Sequence, residues 1–226
     1  MNRTTDTLQK ILLKNGMLVL SPTEDLVCSH VNGLAGYCLA KYGCLELAAI
    51  ISKTLLGSNL YDNQSGLFHR EMNLLGKLTK PEFNICKNGF MACLLVCTGK
   101  FIEASELIKS LYESPAYDKT NHLFYRQFSQ DLIVDCQLIT HSNLAVCLAL
   151  LELKQFELAR TLMYSIHTYF WENGYRSIDF EVKDSLLYYL DDQALSAIIW
   201  MMLGHTELSL QCYEDYPLTI PPKPRR

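Results

Sequence analysis

Two histidines and a pair of aspartates occupy related places in this chain, and together they could move protons. His30 stands two residues before Asn32, and His141 two residues before Asn143. Cys86 holds the same place before Asn88, and Asp191 before Gln193; the residues between are Val31, Lys87, Ser142 and Asp192. Histidine ordinarily titrates near neutrality, so His30 and His141, with Asp191 or Asp192, would supply acid–base groups in a workable range. The row Asn32, Asn88, Asn143 and Gln193 can both donate and accept, which suits a hydroxyl-rich ligand. Part of this polarity has a plainer role. Asn, Ser and Asp cap helix N-termini, and Ser142 and Asp191 or Asp192 fit that role.

A second constellation lies in the connecting segments. Tyr61-Asp62, a four-residue turn and Leu67-Phe68-His69-Arg70 match Tyr117-Asp118, a turn and Leu123-Phe124-Tyr125-Arg126. A vaguer third version runs Asn173-Gly174-Tyr175-Arg176. These residues could be staples that tie each loop to the structure below, with the arginine pairing the aspartate. Alternatively Tyr61, Asp62, Arg70, Tyr117, Asp118 and Arg126 face a cavity and hold a polar ligand, arginine being suited to planar two-point contacts.

The elements that must position these groups repeat. Gly43, Gly99, Lys154 and Gly204 each precede a similar amphipathic start, among them Lys100-Phe101-Ile102-Glu103-Ala104 and Gln155-Phe156-Glu157-Leu158-Ala159, at a spacing of about fifty residues. Such a period implies stacked helical hairpins. First helices are expected near 24–42, 82–98, 141–153 and 191–203, and second helices near 44–57, 101–113, 155–171 and 205–214. The first are almost continuously apolar and form an inner layer; the second carry apolar residues at helical spacing and form an outer one. A further helix is expected around 5–14. The fold class read this way is all-α, one domain over 1–216 with a Pro-rich basic tail over 217–226. The outer-to-inner connections, roughly 58–81, 114–140 and 172–190, are long enough to suggest function. All reach the N-terminal ends of the inner helices, where free backbone N–H groups and the positive dipole end lie.

Composition narrows the classes. The 226 residues are 49% hydrophobic and 19% charged, with net charge −4. Basic residues cluster only at Lys223-Pro224-Arg225-Arg226, which argues against nucleic acid. The N-terminal apolar residues are interrupted by Lys10, Lys14, Asn15 and Gly16, too polar for a signal peptide or membrane span. Nine cysteines, none in a C-x-x-C pair and several inside helical runs, read as reduced thiols in the cytoplasm. Phosphate-loop, dinucleotide, zinc-protease and nucleophile-elbow motifs are missing, and neither a metal nor a cofactor is expected.

With apolar inner helices, amphipathic outer ones and long loops at one end, the chain resembles the α/α-toroid, or six-hairpin, superfamily. Thr140-His141-Ser142-Asn143-Leu144-Ala145 and Tyr188-Tyr189-Leu190-Asp191-Asp192-Gln193 are similar in style to its inner-helix openings. The resemblance covers about 24–214 at the level of architecture. It implies glycoside hydrolase, lyase or sugar epimerase chemistry. About four hairpins fall short of six, so the ring is open, smaller, or completed by a partner, for which a homo-oligomer would serve.

Two functions follow as expectations. One is an enzyme acting on a carbohydrate or similar polyhydroxylated small molecule, with His30, His141, Asp191 and Asp192 catalytic. Tyr61, Asp62, Arg70, Asn88, Tyr117, Asp118, Arg126, Asn143 and Gln193 would bind the substrate. A glycosidase would need Asp191 or Asp192 opposite Asp62 or Asp118, about 5–10 Å away; an isomerase or epimerase would use the two histidines. The other is a non-catalytic helical-repeat module that binds a protein or peptide on its concave face.

Overall fold

A computed structural model describes residues 16–21, 24–176 and 190–214. Eight helices in this range form four hairpins. The inner helices are α1 (Ser29–Lys41), α3 (Ile85–Cys97), α5 (Thr140–Glu152) and α7 (Leu190–Met202). Their outer partners are α2 (Leu45–Leu56), α4 (Phe101–Glu113), α6 (Phe156–Phe170) and α8 (Thr206–Glu214). The expected helix at 5–14 and the tail at 217–226 lie outside the described residues.

Each hairpin turns through one left-handed residue. Gly43, Gly99 and Gly204 have φ of 84°, 77° and 83°, and Lys154 takes 60° at the equivalent point. The next N–H then reaches back into the last helical turn, as in Cys44 N to Leu39 O and Gln155 N to Leu150 O, both 2.8 Å. Lysine can stand among the glycines because a single αL residue costs only about 1–2 kcal/mol.

The layers follow the hydrophobic pattern. On α4 the buried residues are Ala104, Leu107, Ile108 and Leu111, one stripe at helical spacing. On α5 everything from Ser142 to Leu151 is buried, as expected of a helix packed on several sides. The inner helices pack in the order α1, α3, α5, α7. Glycine sets how closely they approach: a Cβ on Gly89 would lie 2.7 Å from the carbonyl carbon of Ala145, and one on Gly33 would lie 3.0 Å from the Met91 nitrogen. Glycine in a helix costs about 1 kcal/mol relative to alanine; here it lets neighbouring N-termini stand side by side.

The all-α reading is wrong. The connections fold into an antiparallel sheet of eight strands. These are β1 (Val19–Ser21), β2 (Glu24–Cys28), β3 (Tyr61–Asp62), β4 (Leu67–Asn73), β5 (Leu78–Asn84), β6 (Tyr117–Asp118), β7 (Leu123–Ser129) and β8 (Leu132–Leu138). The order is β1-β2-β4-β5-β7-β6, with β3 also on β4 and β8 on β7. Two hairpins, β4–β5 and β7–β8, therefore occupy the segments expected to be loops, and residues 24–28 and 82–84 are strand rather than helix. Simple alternation is hidden because the pairing shifts between His69 and Glu71 and again before Met72. Bulges of this kind turn the expected two-residue period into paired buried and half-buried positions.

Candidate active site at the inner-helix N-termini

The amide row fastens sheet to helices. Asn88 accepts from Phe68 N at 2.8 Å and donates to Phe68 O and Asn84 O, each at 3.0 Å. Asn143 does the same to Phe124 N (2.7 Å), Phe124 O and Ile139 O. Asn32 grips both backbone groups of Leu18 and the Cys28 carbonyl. Gln193 grips Tyr175 N and O. All four amides are buried. Asn88, Asn143 and Gln193, expected to serve a ligand, direct these hydrogen-bonding groups to backbone that would otherwise be left unpaired. Ser142 is not a cap either: α5 begins after Ile139 without a side-chain cap, while Asn84 caps α3 through Lys87 N.

The row two residues upstream is where chemistry gathers. The His30 and His141 ring centroids are 6.4 Å apart, and both rings contact Phe90 edges or faces at 5.5 and 5.6 Å. Cys86 Sγ is 3.7 Å from His30 Nδ1 and is also hydrogen-bonded to His141. On the far side, His141 Nδ1 lies 3.0 Å from Asp192 Oδ1 and 3.9 Å from Asp191 Oδ2. Asp192 is completely buried, whereas Asp191 is largely exposed and its Oδ1 accepts from Asp192 N at 3.1 Å. Four inner helices thus each contribute one position to a single line: His30, Cys86, His141 and the aspartate pair.

Electrostatics drive the two histidines apart. Burial, the charge on His141 and Lys87 together push the His30 pKa down to about 4. Burial also opposes charge on His141, but the hydrogen bond to Asp192, the Cys86 thiol and the Asp192 charge overcome it and lift the pKa to about 10. At neutral pH His30 is a bare acceptor and His141 a proton donor. Because Asp192 takes Nδ1 of His141, a proton passed to a substrate would leave from the other ring nitrogen, Nε2, which the Cys86 thiol also approaches. His141, Asp191 and Asp192 also bring ligand atoms within 4.8 Å of one another; a cation there would require His141 to lose its proton.

Other charged groups border the line. Lys87 Nζ reaches Glu71 at 3.7 Å and Cys28 Sγ at 3.1 Å, and Glu71 also pairs with Lys80 at 3.1 Å. Cys86, Lys87 and Glu71 were not picked out from the sequence as site residues. The register shared with His30 and His141 marks Cys86; for Glu71, hidden in a strand read as loop, there was no signal.

The loop residues lie elsewhere. Asp62 holds its own turn through Gln64 N and Ser65 Oγ, and Asp118 does so through Thr120 N and Asn121. The Tyr61 ring lies tilted against Phe68 and the Tyr117 ring against Phe124, both with centroids 4.9 Å apart. Arg70 donates to Gln127 Oε1 at 2.8 Å, and Arg126 contacts Asp135 and Gln137 at 3.3 Å. Neither arginine pairs the aspartate of its own motif, and none of these six residues bonds to the histidine line. A cavity of about 550 Å³ opens at the Asp62 turn, between Ser110, Glu113, Gln130 and Asp131, again apart from the histidines.

No family model and no curated protein matches the sequence. Solved structures do match the fold. D-mannose isomerase superposes with a TM-score of 0.72 at 15% identity over 92% of this chain and 64% of that one. A sugar epimerase from a ruminal bacterium gives 0.71 at 13% identity over 93% and 66%. Cellobiose 2-epimerase from Bacillus thermoamylovorans gives 0.70 at 11% identity over 92% and 67%. The chain has the α/α-toroid architecture and spans about two thirds of the length of these proteins. Among the described residues no helix is long and apolar enough to cross a membrane.

Proposed function

We propose that this protein is a sugar isomerase or epimerase that moves a proton at the carbon next to the carbonyl of a reducing sugar. The observation that carries the reading is the pair His30 and His141, with ring centroids 6.4 Å apart, Asp192 3.0 Å from Nδ1 of His141 and Cys86 3.7 Å from Nδ1 of His30; burial and these neighbours push their pKa values in opposite directions. Proton abstraction next to a carbonyl needs an acceptor at carbon and a donor at the carbonyl oxygen. His30 is the acceptor; imidazolium His141, braced by Asp192, donates to the oxygen as the enediol forms. If His30 returns the proton to C1 while the O2 hydrogen passes back to His141, the ketose isomer results; if the enediol turns in the site so that its other face meets His30, protonation at C2 with return of the O1 hydrogen to His141 gives the epimer. Asp191 steadies His141 from the solvent side. The named activities of the three structural neighbours support a carbohydrate substrate. The glycosidase alternative loses support because Asp62 and Asp118 are committed to their turns.

The test is proton exchange. The protein is incubated in D2O with aldohexoses, ketohexoses and β-linked disaccharides, and the C2 proton is followed by NMR. The expected result is deuterium at C2 with an isomer or epimer appearing, lost in His141→Ala. A folded protein that exchanges no C2 proton on any of these sugars overturns the reading and turns attention to a binding role for the helical array.

A further inference from the structure

We propose that Cys86 is a positioning residue of this acid–base pair: its sulfur accepts the Nδ1 hydrogen of His30 and so leaves Nε2 of His30 as the base. The inference rests on the proton-transfer reading above. Its grounds are geometric. Cys86 occupies on α3 the place that His30 and His141 occupy on α1 and α5, so the register that aligns the histidines sets the thiol between them. Its Sγ faces Nδ1 of His30 at 3.7 Å, within range for a hydrogen bond to sulfur, and the same thiol bonds His141. Cys86 is buried and His30 half-buried.

The tautomer matters because a neutral imidazole has one acceptor nitrogen. If Nδ1 accepted from the thiol, Nε2 would carry the hydrogen and His30 could take nothing from a substrate. With Nδ1–H donating to sulfur, the lone pair lies on Nε2. This is the role Asp192 plays for His141, filled here by a softer sulfur atom. The two rings are thus oriented by two different partners, a carboxylate for the donor and a thiol for the acceptor.

The experiment compares the full chain with Cys86→Ser and Cys86→Ala by two readouts. The first is 15N NMR of the imidazole rings, which needs no substrate. The expected wild-type signature is His30 with Nδ1 protonated and Nε2 bare; serine keeps it, and alanine yields a tautomer mixture. The second is C2 exchange. Alanine should lower kcat about 10–100-fold, the scale seen when a metal-bound histidine loses the partner that orients it, with KM little changed, while serine, which can still accept from Nδ1, should stay close to wild type. Wild-type His30 with Nε2 protonated would overturn the proposal. So would equal loss of kcat in both variants, which marks a packing role, or no loss in alanine. If the wild type exchanges no sugar proton, the proton-transfer reading fails, and the NMR result still decides whether Cys86 orients His30.

Discussion

Two rows of side chains cross the same four helix N-termini, two residues apart, and they do opposite work. The amide row is uniform: Asn32, Asn88, Asn143 and Gln193 are all buried and all close on both backbone groups of one strand or loop residue. The row before it is diverse, running His30, Cys86, His141 and Asp191–Asp192. A repeating array needs the same fastening in every unit, because each hairpin meets the same problem of unpaired strand backbone. Catalysis needs different groups around one substrate. On the proton-transfer reading, uniformity marks the scaffold and divergence the proposed site.

The comparison breaks first at His141. Removing one general acid costs about 10²–10⁴-fold in rate, so His141→Ala should lose C2 exchange by that factor. Full activity in a folded variant would take the diverse row out of catalysis. Next comes Asn143→Ala, which orphans buried backbone groups on Phe124 and Ile139. At about 1–3 kcal/mol per unsatisfied group, the loss should be about 3 kcal/mol by urea unfolding. Asn88→Ala should cost a similar amount, since its contacts are the same. Very unequal costs would contradict the idea of equivalent fasteners.

Gly89→Ala probes the spacing that brings the two rows together. The added methyl meets α5 backbone at 2.7 Å, and overpacking of this kind costs about 1–3 kcal/mol. It should also lower activity by separating α3 from α5. An alanine variant with unchanged stability would mean that the helices yield freely.

The smallest expected effect is the pH response. Activity should be flat between limbs near the His30 value of about 4 and the His141 value of about 10. Stability follows the same groups. The folded pKa of His141 lies above the ordinary 6.5, so its contribution is complete below 6.5 and fades as pH rises through about 10. His30 is shifted the other way, so its contribution is complete above 6.5 and is lost as pH falls through about 4. A pH–rate limb near 6.5 would show that burial, Asp192 and the neighbouring charges do not shift the rings as the account requires.

Much of this was legible in the sequence, and the gaps have physical causes. The four turns at Gly43, Gly99, Lys154 and Gly204 gave the hairpins and their layers, because left-handed residues and apolar stripes leave local signals. The shared register of His30, Cys86, His141 and Asp191 was also readable from those turns. The sheet was not. In Leu67–Asn73 the bulges erase a two-residue period, and Arg70 there looked like a binding residue in a loop. The role of the amides was hidden for the same reason: without strands, Asn88 and Asn143 had no backbone to hold. Asp62 and Asp118 looked like ligand contacts because a turn aspartate and a binding aspartate share one sequence signature.

The most direct test of the account is an NMR titration of the His30 and His141 rings in the intact protein between pH 3 and pH 11. The account predicts that His30 stays neutral down to about 4 and His141 stays protonated up to about 10. Both rings titrating together near the ordinary 6.5 would contradict it, because there would then be no poised acceptor and donor for the fold to hold side by side.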